Sequence, residues 1–195
     1  MLRRAHALAL AAVTALTATT TSSAADAAVA SADAEVRIFY VYAPDDEIHF
    51  SIDAEGDPFS RPLPGLPDGL PTDARGTFAV THDFTATGQT ARVEGEVDCL
   101  LTGGGTASLT AVVTHATDDF ADWIGHRVGV SLHDGDSDGR GDRLGFSWAL
   151  AVDTVDVGGA CLAPAPFAPV IAGDIDVRHA ELPKGTGGAA ALSRR

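Results

Sequence analysis

Lysine is nearly absent from this 195-residue chain: Lys184 is the only one, and arginine supplies the rest of 13 basic residues against 27 acidic ones. The formal charge of −14 argues against polyanionic partners, because nucleic acid and anionic membrane surfaces would both repel such a domain. Cysteine is scarce as well. Cys99 and Cys161 lie far apart with no flanking histidine pattern, which makes a poor zinc site. No apolar run reaches the length of a membrane helix. Long helical periodicity is also missing; most apolar runs repeat every second residue, the signature of strands.

The N-terminus carries an export pattern. Leu2-Arg3-Arg4 is a short basic region, residues 7–16 are apolar, and small residues follow. This reads as a secretory signal peptide over residues 1–27, with cleavage after Ala27, Ala30 or as late as Ala34. The expected location is secreted and extracellular, with no membrane contact after cleavage. An oxidising compartment then favours one disulfide between Cys99 and Cys161. It would close a long loop, worth about 4 kcal/mol on the chain-entropy view. Residues 35–180 are expected to form a single β domain, and the Gly/Ala-rich stretch 181–195 a disordered tail.

Within that domain the alternation predicts about eight antiparallel strands: 35–43, 47–54, 76–84, 91–101, 106–115, 126–134, 142–152 and 171–179. The expected inward residues include Val36, Ile38, Tyr40 and Tyr42, then Phe78 and His82, then Val97 and Cys99, then Phe146, Trp148 and Leu150. Asp118 to Trp123 breaks the alternation and reads as one helical turn, with Phe120 and Trp123 plugging a barrel end or a sheet edge. The five prolines of 58–71 exclude a central strand; they leave a surface loop, or a proline-rich ligand around Arg61-Pro62-Leu63-Pro64. The fold class is therefore all-β, an up-and-down barrel that closes its own edges, with a two-sheet sandwich as the alternative.

Three sets of residues could carry chemistry. Asp134, Asp136, Asp138 and Asp142, with Gly139 at the sixth position, match the first nine positions of an EF-hand loop and point to calcium. Gly145 replaces the twelfth-position glutamate and the flanks read as strands, so such a site would be weak. Ser147 sits in half of a nucleophile-elbow pattern but inside a strand. His115 with Asp118 or Asp119 forms a possible dyad without a nucleophile. No catalytic residues are assigned.

Val97-Asp98-Cys99-Leu100, Thr102-Gly103-Gly104, Val128-Gly129-Val130, His133-Asp134 and Asp142-Arg143-Leu144-Gly145-Phe146-Ser147-Trp148, followed by Cys161, resemble a group of uncharacterised secreted bacterial proteins, some labelled "repetin". The resemblance runs from about residue 76 to 177. It implies export, a β-rich domain and the cysteine pair, and no activity. The expectation from sequence is a non-enzymatic extracellular β domain, binding or structural and stabilised by calcium. The alternatives are a barrel holding a small apolar ligand and a hydrolase of unknown type. No motif names a small-molecule or protein partner.

Overall fold

The computed structural model describes residues 29–135, 141–149, 156–157 and 159–182. Eight strands follow one another around a closed antiparallel barrel: β1 (Ser31–Ile38), β2 (Glu47–Gly56), β3 (Ala74–Phe84), β4 (Gln89–Gly103), β5 (Thr106–Ala116), β6 (Arg127–His133), β7 (Arg143–Phe146) and β8 (Ala168–Arg178). Each strand pairs with its neighbours in sequence, and β8 returns to β1 with Ser31 opposite Arg178. This is the up-and-down barrel that the alternation predicts; the sandwich is set aside.

The alternation decides which residues fill the interior. β2 buries Ile48, Phe50, Ile52 and Ala54 while Glu47, His49, Ser51 and Asp53 face out. Phe50, Phe78, Leu109, Val130, Leu132, Leu144 and Ile175 form part of one continuous apolar core. Truncating a fully buried leucine such as Leu109 to alanine would cost about 2–5 kcal/mol. Gly104 and Gly105, both at positive φ, turn the β4–β5 hairpin tightly enough that Gly103 still pairs with Thr106.

Three expectations need correction. First, β1 begins at Ser31 and ends at Ile38, so Tyr40 and Tyr42 lie in the following loop; Tyr42 is 84% exposed and only Tyr40 packs against the core. Second, Cys99 is buried but does not face the interior. A bulge at Asp98 sets Asp98 and Cys99 against the single residue Thr110, and Leu100 takes the inward phase beside Leu109. One extra residue moves every later side chain to the other face. Third, β7 stops at Phe146, where the chain turns into a 3-10 segment, Ser147–Ala149, that directs Trp148 into the barrel end. Leu150, expected inward, lies outside the described residues. The proline-rich stretch lies in the largely exposed loop between β2 and β3, in keeping with the surface-loop reading. Leu63 and Leu66 exchange backbone hydrogen bonds at 3.0 and 2.9 Å. The Arg61 guanidinium is turned inward to the carbonyls of Ala74 (3.1 Å) and Val97 (2.9 Å). Asp73, itself buried, accepts the amides of Arg61 (3.0 Å) and Leu70 (2.9 Å).

The outer face of β5 and β6 is covered by segment 159–167, which crosses it as a strap. Cys161 bonds to Cys99 with an S–S distance of 2.06 Å across a separation of 62 residues. The Cys161 amide donates to the Thr110 hydroxyl (3.1 Å), which in turn donates to Asp98 (2.6 Å). Asp98 also receives the Arg127 guanidinium at 2.6 Å. Ser108 and Ser131 donate to the carbonyls of Cys161 (2.8 Å) and Pro164 (2.5 Å). The strap lies so close that a Cβ on Gly129 would stand 1.9 Å from the Leu162 oxygen.

The last seam is the thinnest. β7 and β8 share only the pairs Arg143 with Pro169 and Leu144 with Ala168. Beyond them the β8 amides find other acceptors: Val170 donates to the Asp142 carbonyl (3.0 Å), Ile175 to the Asp142 carboxylate (3.0 Å) and Val177 to the Asp134 carboxylate (3.2 Å).

Candidate functional site

The two barrel ends differ. At one end loop 57–73 joins β2 to β3 and its Thr72 carbonyl accepts the Leu100 amide at 3.0 Å. At the other, four connections surround an opening: loop 39–46, the β3–β4 turn, the 3-10 segment Asp118–Trp123, and the turn after β7. The opening leads into a chamber of about 280 Å³. Strand alternation places Ile48, Val80 and Val93 on its walls, and loop and 3-10 residues add Tyr40, Phe120, Trp123 and Trp148.

The rings are mutually packed. Trp148 lies 4.9 Å from Phe146, 6.0 Å from Phe50 and 5.8 Å from Trp123, centroid to centroid. Phe120 meets Trp123 edge-on at 5.2 Å, and Tyr40 stands 5.4 Å from Phe146. Such offset and edge contacts hold aromatic rings in fixed orientations. Burial, with Tyr42 nearby, pushes the Tyr40 hydroxyl above the ordinary tyrosine range, so at neutral pH it remains a hydrogen-bond donor. His82, stacked on Phe84 at 3.9 Å, binds the Asp46 carboxylate at 2.8 Å across the rim. Asp46 also accepts the Thr85 amide (2.9 Å). The His82 hydrogen bond first, and the Thr85 amide second, hold the Asp46 carboxyl below the usual carboxylate range. His82 is thus a rim residue that ties loop 39–46 to the end of β3.

A second hollow, about 490 Å³, adjoins the chamber and shares Phe84, Ala91 and Phe120 with it. Its polar lining comes from Thr87, Gln89, Thr90 and Thr117, with Asp118 and Asp119 at its edge. A further groove of about 490 Å³ runs between the strap and β5; its Ser108 and Ser131 hydroxyls already donate to strap carbonyls.

The residues singled out from sequence are scattered. Cys99 and Cys161 are joined. Asp134 and Asp142 sit at the far barrel end, with Asp142 buried and its other oxygen accepting the Gly135 amide (2.9 Å). Asp136 and Asp138 lie outside the described residues. Among the described residues no group of three or more metal-ligating side chains converges. Ser147 is buried and accepts the Gly129 amide at 3.1 Å, whereas His115 is exposed and contacts the Thr114 hydroxyl at 3.1 Å. Phe120 and Trp123 do pack on the barrel end as expected. Asp46 and Tyr40 were not recognisable as site residues, since a loop's path over a barrel mouth leaves no periodic trace in sequence. The chain matches no protein-family model, no curated protein and no solved structure.

Proposed function

We propose that this protein is a non-enzymatic extracellular binding domain whose barrel mouth takes a small apolar ligand. One observation carries the reading: an eight-stranded barrel interior is just wide enough to be filled by side chains or to hold one small ligand, and here the described residues at one end line an aromatic chamber of about 280 Å³. An apolar wall with a few placed polar groups is the usual composition of a ligand site. Tyr40 and His82 are the residues of the described lining that carry polar groups. The chamber lies near the small end of the volume range of such sites, which favours a ligand of three rings or fewer.

Titration with N-phenyl-1-naphthylamine, an uncharged dye that brightens in apolar surroundings, tests this. The expected result is a saturable rise in emission that Ala91→Phe abolishes, because Ala91 lines both hollows where they meet. The variant is compared at equal folded content, read by far-UV circular dichroism. A rise that is linear, or unchanged in the variant, overturns the reading.

A further inference from the structure

We infer that the ligand of this mouth is an amphipathic cation, with its apolar or aromatic body in the chamber and an ammonium-type head over the adjoining acidic hollow. The inference rests on the binding reading above and adds the charge of the ligand.

Three observations carry it. The chamber and the hollow adjoin, with Phe84, Ala91 and Phe120 in both linings, so a molecule seated in the chamber has the hollow beside it. Asp118 and Asp119 are the hollow's charged lining, and among the described residues no lysine or arginine lines either space. The path between them runs past aromatic rings. Ring faces carry negative quadrupole and attract cations within about 6 Å; Phe84 and Phe120 line the hollow as well as the chamber. The same lining works against a carboxylate or phosphate ligand, which would lie beside two carboxylates while His82, the one basic side chain among the described lining residues, is already bound to Asp46. The excess of 27 acidic over 13 basic residues adds a surrounding potential that concentrates cations and depletes anions. Both aspartates are exposed, so the charge preference is of surface strength and weakens with salt.

Trp123 and Trp148 are the only tryptophans in the chain, so intrinsic emission reports directly on occupancy. The full chain, disulfide intact, is titrated with three probes of one shape: benzyltrimethylammonium, 3-phenylpropanol and 3-phenylpropanoate. N-acetyltryptophanamide corrects for collisional quenching. The expected order of affinity is cation, alcohol, anion, with the cation about tenfold tighter than the anion at low salt, the scale of a few exposed charge contacts. The double variant Asp118→Asn with Asp119→Asn brings cation and alcohol together, while far-UV circular dichroism stays unchanged. Equal affinities in the native protein, or tightest binding of the anion, overturn the cationic ligand and leave the apolar chamber standing. Saturable dye binding combined with an unchanged cation advantage in the double variant overturns the assignment to Asp118 and Asp119. No saturable response to the dye or to any of the three probes removes both proposals.

Discussion

At the scale of single residues, the carboxylates of the acidic stretch have a use that charge spacing does not reveal. Asp142 is 1% exposed and accepts amides with both oxygens, from Gly135 and from Ile175. Asp134 does the same for Val177. They serve as acceptors along a seam where β7 is too short to supply carbonyls. Asp142→Asn turns an NH2 group toward one of these amides and should cost about 2 kcal/mol, the loss of a charge-assisted bond with a stranded donor. Urea unfolding measures it. The expected loss is the same in EDTA and in millimolar calcium; a loss confined to calcium would return Asp142 to the cation-binding role its spacing suggests. The Asp98–Arg127–Thr110 network belongs to the same class. Asp98 looked like one more outward acid in the alternation of β4, yet it is buried under the strap and paired.

At the scale of elements, the strap packs on β5 and β6 and is tied to β4 by the Cys99–Cys161 bond. Gly129 and Gly145 both lack room for a Cβ beneath the strap, at Leu162 and Ala165. Gly129→Ala should cost about 1–3 kcal/mol through forced displacement of backbone. The cost should shrink when Cys99→Ala and Cys161→Ala are also present, because the strap can then lift. A double-mutant cycle on urea midpoints reads this coupling. Equal costs with and without the disulfide would mean that the strap is held mainly by its hydrogen bonds.

The elements themselves were largely legible in the sequence. The eight alternating runs from Val36 to Val177 fall on the eight strands, because a half-wet sheet forces period two on its residues. What escaped was local and came from backbone rather than composition. The Asp98 bulge leaves no mark on the alternation up to Cys99, so the cysteine was placed on the wrong face. The end of β7 at Phe146 is hidden because Trp148 keeps the inward phase through a 3-10 turn. The candidate site was legible only in part. Phe120 and Trp123 could be assigned to a barrel end and Trp148 to the inward face of a strand, but the pairing of Asp46 with His82 depends on how loop 39–46 crosses the mouth.

At the scale of the whole molecule, the acidic balance is unevenly spread. Asp33 stands opposite Asp53 on β2 and opposite Asp176 on β8. Burial first, then these two carboxylates, raise the Asp33 carboxyl above its ordinary value, with Arg178 opposing. A carboxyl whose folded pKa is raised holds its proton more tightly in the native state. Its contribution to stability is therefore fully present below the ordinary value of about 3.9 and is lost as pH rises through the raised one. Asp33→Asn should accordingly raise the thermal midpoint at pH 7 by about 1–2 °C, a size limited by solvent screening. The gain should vanish near pH 3, and salt should reduce it at pH 7. Midpoints of the two proteins across that pH range check the sign. A gain that grows on acidification would contradict it.

The facing of Ser31 and Arg178 across β1 and β8 also has a mechanical meaning. Both outer strand ends leave the barrel at one rim, on antiparallel neighbours. A pull applied through them loads the shared hydrogen bonds one after another, as in peeling tape, rather than all at once in shear. The barrel therefore opens at low force from this edge. The opening then meets a fixed stop: while the Cys99–Cys161 bond holds, the 62-residue span between its ends never enters the path of tension, and β5, β6 and β7 stay slack inside a covalent ring.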